Sequence, residues 1–172
     1  MDPYILKTTL SFIYRLMVAA EPLLERAIDK SGGPLQRYFR AHLEEERGHE
    51  GILAADLARL SVDPIPKFHL AELIAGGQYY LIEHEHPAAL LGYMAALEGN
   101  PQPLGDVDAL EREFGPLNAL RLHAEHDIWH IEEIREQIEQ LPVELKALVA
   151  LNEHRVRLQL EAAPSVIFVR SN

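Results

Sequence analysis

Apolar residues along the chain recur at spacings of three and four, the period of an amphipathic helix. Leu6, Leu10, Ile13, Met17 and Ala20 mark a first helix. Asp2-Pro3 would open it, a capping residue followed by the residue type suited to the first helical position. Pro22 predicts a kink or a restart, and Ser31-Gly32-Gly33 the end. A second helix starts near Pro34, carries Leu35, Phe39, Leu53, Leu57 and Leu60 on one stripe, and stops at Asp63-Pro64-Ile65-Pro66. A third runs from about His69 to Glu85, with Gly76-Gly77 as its weak point. A fourth runs from Pro87 to Gly99, a natural C-terminal cap. Beyond the loop Asn100-Pro101-Gln102-Pro103, a short helix covers Val107 to Phe114. Gly115-Pro116 then opens a long helix to about Leu141, and Pro142 separates it from a last one, Val143 to Ala162. Ser165-Val166-Ile167-Phe168-Val169 is apolar and β-prone, the composition of an arm that packs on the body or on a partner. No hairpin signal and no solenoid period interrupts this pattern. The expected fold class is all-α: one bundle of six or seven helices over residues 1–172, with 163–172 as a C-terminal tail.

Composition narrows the chemistry. The 172 residues suit one domain. A net charge of −11 with no long basic run argues against nucleic acid or an anionic membrane as partner. The chain has no cysteine, which removes disulfides, thiolate metal sites, iron–sulfur clusters and any Cys nucleophile. No apolar run reaches the ~18 residues of a membrane span, and no signal peptide is evident, so a cytoplasmic location is the default expectation.

Nine histidines remain to be placed. His42, Glu46 and His49 are spaced by four and three; at about 100° per residue they share one helix face. That face is the apolar stripe of Leu35, Phe39, Leu53 and Leu57, so the polar groups point inward. His123, Asp127 and His130 repeat the spacing on the stripe of Leu120, Ile131, Ile134 and Ile138. Random order of nine His and 27 acids in 172 residues yields about 0.07 such patterns, and two occur. Glu98 ends the stripe of Leu91, Met94 and Ala95; a carboxylate there is costly to bury unless paired, protonated or bound to metal. Imidazoles and carboxylates converging inside a bundle are the ligand set of a dinuclear non-haem iron or manganese site.

Three segments carry a family resemblance: His42-Leu-Glu-Glu-Glu-Arg-Gly-His49, Pro87-Ala-Ala-Leu-Leu-Gly-Tyr-Met-Ala-Ala-Leu-Glu-Gly99, and His123-Ala-Glu-His-Asp-Ile-Trp-His130. In order and spacing, from about Tyr38 to Leu141, the chain resembles the haem-oxygenase-like dimetal oxidases, also called iron-containing redox enzymes. The resemblance implies the haem-oxygenase-like (thiaminase-like) topology, two Fe(II) ions, with Mn an alternative, and dioxygen as co-substrate acting on a small organic molecule. It assigns as metal ligands Glu46, His49, Glu98, His123, Asp127 and His130. Some members carry a carboxylate seven residues before the first ligand His, where this chain has His42. His42 is therefore a ligand, a group behind the ligands, or a substrate contact. Haem oxygenases have a proximal His in the first helix, and no His precedes His42 here, so no haem is expected; thiaminase-like relatives use a Cys nucleophile, which is absent. The competing expectation is a non-catalytic metal-binding or interaction protein on the same fold. A homodimer is compatible with the apolar tail.

Other conspicuous residues have plainer readings. Glu45, Glu50 and Glu125 lie off the stripes and read as solvated. His126 would sit behind the ligands, His84-Glu85-His86 would form an exposed turn, and His69 and His154 would be surface or cap residues. Trp129 reads as core or interface. Tyr79, Tyr80 and Tyr93 read as core residues with satisfied hydroxyls or as oxidisable neighbours of the site. Leu53, Leu91 and Met94 are the expected lining of a substrate pocket.

Overall fold

The computed structural model describes residues 3–63 and 68–163; the Asp2 cap, the Pro64–Pro66 stop and the apolar segment Ser165–Val169 lie outside them. Eight helical segments follow one another: α1 (Pro3–Lys30), α2 (Gly33–Glu46), α3 (His49–Arg59), α4 (His69–His84), α5 (Ala89–Glu98), α6 (Leu104–Phe114), α7 (Asn118–Glu139) and α8 (Val143–Ala162). Among the described residues there is no strand. The architecture is an all-α bundle, and none of its helices is long and apolar enough to cross a membrane.

The helix count is seven if α2 and α3 are taken as one interrupted helix, which is how the sequence pattern presents them. The interruption is real. Gly48 sits in the left-handed region at φ 85, and its N–H leaves the helical ladder to donate to Glu21 Oε1 on α1 at 3.0 Å. At Pro22 the outcome is the reverse. α1 neither stops nor restarts there. Buried Leu16, Leu23, Leu24 and Ala27 flank the proline and hold both halves against the core, outweighing one lost backbone bond.

α5 is the axis of the bundle. Every residue from Ala89 to Ala96 is buried, as expected of a helix enclosed on all sides. It packs chiefly on α8, then on α7 and α4. At Gly92 the two backbones meet: an added Cβ would overlap the Val149 carbonyl oxygen and come within 2.9 Å of the Glu153 nitrogen. Asn152 on α8 donates to Gln78 Oε1 on α4 at 2.8 Å and to the Ala89 carbonyl at 2.7 Å, so a buried polar group ties three helices together.

α7 is placed from its first turn. Buried Asp56 on α3 accepts the Ala119 N–H through Oδ2 and the Asn118 side-chain amide through Oδ1, both at 2.9 Å. A carboxylate borrowed from another helix thus caps α7 and complements its dipole. Arg59 reinforces the joint by donating to the Phe114 carbonyl at 2.9 Å and to the Pro116 carbonyl.

Candidate metal centre

α2, α3, α5 and α7 aim seven imidazole and carboxylate side chains at one region. Two groups are tight enough to hold an ion. In one, a ligand atom each from His42, Glu46 and His130 lie within 4.8 Å of one another; in the other, the same is true of Glu46, His49 and His123. Glu46 belongs to both. One of its oxygens, Oε1, is 3.9 Å from His130 Nδ1, and the other, Oε2, is 3.5 Å from His49 Nδ1. The imidazoles pair across helices edge to face: His42 with His130 at 4.9 Å between ring centres, His49 with His123 at 5.3 Å. Glu98, at the end of α5, reaches the first group: Oε2 is 3.2 Å from His130 Nδ1 and Oε1 is 3.5 Å from His42 Nε2. Asp127 does something different. Its Oδ1 is 3.1 Å from His123 Nδ1, leaving the opposite ring nitrogen as the one free to face the centre.

These groups converge without satisfying one another. His42 Nδ1, His49 Nδ1, His123 Nε2, His130 Nδ1 and Glu98 Oε2 are all buried with no hydrogen-bond partner; even the 3.2 Å approach of His130 to Glu98 lacks hydrogen-bond alignment. An orphaned buried polar atom costs roughly 1–3 kcal/mol, and five in one place are a strained arrangement for a protein-only core. A divalent cation is the partner that imidazole nitrogens and carboxylate oxygens have in common, and the donor set fits one.

Electrostatics supports the same convergence. Burial opposes the Glu46 charge, yet His49, His123 and His42 hold its acidity constant down to about 2. Glu98 also stays below the ordinary carboxylate range against its burial, through His130 and then His42. Glu98, against burial and with help from Glu46 and Glu45, raises His130 to about 9. Burial works against the His123 charge, but Asp127 raises its basicity; Asp127 itself is shifted up by burial, only partly offset by His123.

The structure thus brings together all the residues singled out in the sequence: Glu46, His49, Glu98, His123, Asp127, His130 and His42. His42 stands inside a ligand group, whereas Asp127 sits against His123 rather than in either group. Glu45, expected to be solvated, is half-exposed but brings Oε2 to 3.6 Å from His130 Nε2 at the rim. His126 is exposed, its ring 6.3 Å from that of His130. His84-Glu85-His86 forms no second site: Glu83 pairs with Arg26 and Lys30, and His86 Nδ1 accepts the Ala88 N–H ahead of α5. Trp129 is not core; it is 67% exposed.

A cavity of about 200 Å³ opens onto the centre. Met94 lines it as expected, but Leu53 and Leu91 do not; Leu53 is packed instead among Leu6, Leu10 and Leu57. The wall comes from α1, through Phe12, Leu16, Met17 and Leu23, a helix with no chemical residue to draw notice in the sequence. Comparison with protein-family models, with curated proteins and with solved structures returns no match for this chain.

Proposed function

We propose that this chain is a carboxylate-bridged dimetal oxidase or oxygenase, binding two ferrous ions, with manganous ion as the alternative, and using dioxygen to oxidise a small organic molecule in the adjoining cavity. The observation that carries the reading is the pair of His–Glu–His groups sharing Glu46 beside an apolar cavity. Two imidazoles and a carboxylate per ion, with other positions left open, is the donor set of non-haem iron oxygen chemistry. The likeness of the three ligand segments to the haem-oxygenase-like dimetal oxidases points the same way, and carries with it that family's helical topology.

When bound, the ions would supply reducing electrons and open coordination positions for dioxygen. The chain's own residues do the rest. Glu46 would bridge, one oxygen toward each group. His42 and His130 would hold one ion with Glu98, and His49 and His123 the other. Asp127 accepts a hydrogen bond from the Nδ1–H of His123, which fixes the tautomer that turns the Nε2 lone pair toward the centre. The α1 wall keeps water from the reacting region and holds the substrate by contact area.

Anaerobic ferrous loading followed by elemental analysis and an oxygen electrode tests the reading. The expected result is about two irons per chain and iron-dependent oxygen uptake. Less than one iron per chain, or stoichiometric iron with no oxygen consumption in the presence of any cavity-sized organic molecule, overturns it.

A further inference from the structure

The cavity beside the metal centre is two-sided. Its greater part is apolar, formed by Phe12, Leu16, Leu23, Met94 and Leu160. Its polar end is acidic: Glu46, Glu98 and Asp127 face it, and no Lys or Arg is among the described residues that line it. Beyond the carboxylates and imidazoles, the polar side chains in that lining are the exposed amides of Asn100 and Gln102 and the buried Tyr93. The Tyr93 hydroxyl is buried, lies on the enclosed helix α5, and has no hydrogen-bond partner. Burial, and then the neighbouring charges of Glu98 and Glu46, push its acidity constant far up, so it keeps its proton at any physiological pH.

We propose that this cavity binds an uncharged, mostly apolar molecule with one hydrogen-bond acceptor, and that the Tyr93 hydroxyl is the donor that anchors it. A buried hydroxyl without a partner is destabilising, and a ligand oxygen in the cavity relieves it. Size fits a compact ligand, since a cavity of about 150 Å³ is enough for benzene and this one is about 200 Å³. Charge fits a neutral one. With two divalent ions bound, their charge roughly balances the three carboxylates, so an anion gains little at the polar end, and no Lys or Arg among the described residues lines the cavity to hold it. A cation finds those carboxylates already engaged once ions are bound. The inference deepens the dimetal reading and rests on it for what happens to the bound molecule, but binding is measured separately.

Four probes of similar shape separate the possibilities: acetophenone, ethylbenzene, benzoate and benzylammonium. Each is titrated calorimetrically into the full chain preincubated with excess manganous ion, and manganese content is measured on the same samples. Acetophenone is expected to bind about five- to tenfold tighter than ethylbenzene, the value of one hydrogen bond, and tighter than either ion. Tyr93→Phe is expected to erase the advantage of acetophenone and leave ethylbenzene binding unchanged. Equal acetophenone affinity for the chain and the variant, tighter binding of benzoate or benzylammonium, or no binding of any probe overturns the proposal. If the variant does not fold, the order of the four probes on the unaltered chain decides alone. Acetophenone selectivity without bound manganese defeats the dimetal reading and spares this one; bound manganese without the selectivity defeats this one and spares the other.

Discussion

Glu46 stands between two imidazole pairs, and its position sets it apart from the other acids of the site. Among the described residues, Glu98 pairs with His42 and His130, and Asp127 contacts His123. If each group holds an ion, substituting the shared residue harms both positions. We expect Glu46→Gln to retain almost no metal after desalting, and Glu98→Gln to keep about half, by elemental analysis. Protons compete for the same groups. In the metal-free protein His130 is raised to about 9 by Glu98, against an ordinary value near 6.5. A raised folded value stabilises fully below about 6.5 and loses that contribution as pH climbs through about 9. Metal-free melting temperature should fall across that interval, and His130→Asn should flatten the fall. An ion must displace the same proton, so metal affinity should rise over the same range, read by titration at several pH values. The histidine triplets were legible because spacing on a helix fixes a shared face. Glu45 was not, because an off-stripe residue at a helix end reaches a partner on another helix only once the bundle is assembled.

Among the elements, the long amphipathic helices declared themselves through period and punctuation: α4, α7 and α8 lie within a few residues of where the pattern puts them. Two departures have local causes. The Arg47–Gly48 turn preserves the stripe on both sides, so periodicity passes through it unseen. The end of α3 uses Ser61 at φ 54, with the Val62 N–H bonded to the Leu57 carbonyl at 2.9 Å, a left-handed closure usually signalled by glycine. The axis helix offers a sharper test. Gly92→Ala places a methyl on the Val149 carbonyl and should destabilise the fold by roughly 2 kcal/mol or more in urea denaturation. Asp56→Ala uncaps α7 and leaves a buried N–H unpaired, for about 2 kcal/mol by the same measurement. Since α7 carries His123, Asp127 and His130, metal content should drop in that variant as well.

For the whole molecule, the balance lies between a large apolar core and the unpaired imidazole and carboxylate atoms gathered at the candidate centre. Ions that bind the folded chain and not the unfolded one stabilise it by mass action, so ferrous or manganous ion should raise the melting temperature and a strong chelator should lower it again. Calorimetric scans of loaded and chelated samples check this, and an unchanged midpoint would count against a metal centre. The all-α class could be read directly from the chain, since a bundle is the packing open to amphipathic helices joined by short loops. The cavity could not. One side of it is α1, and which helix roofs a site is decided by tertiary packing, not by any residue type within that helix.

The bond from Glu21 to Gly48 has a mechanical consequence. Glu21 stands one residue after Ala20, part of the cavity wall, and Gly48 stands one residue before His49. The bond adds to the packing of α1 on α2 and α3 in linking the enclosure to the grip: a guest that shoulders α1 outward would pull on the imidazole beside it, and a cation seated there would steady the wall.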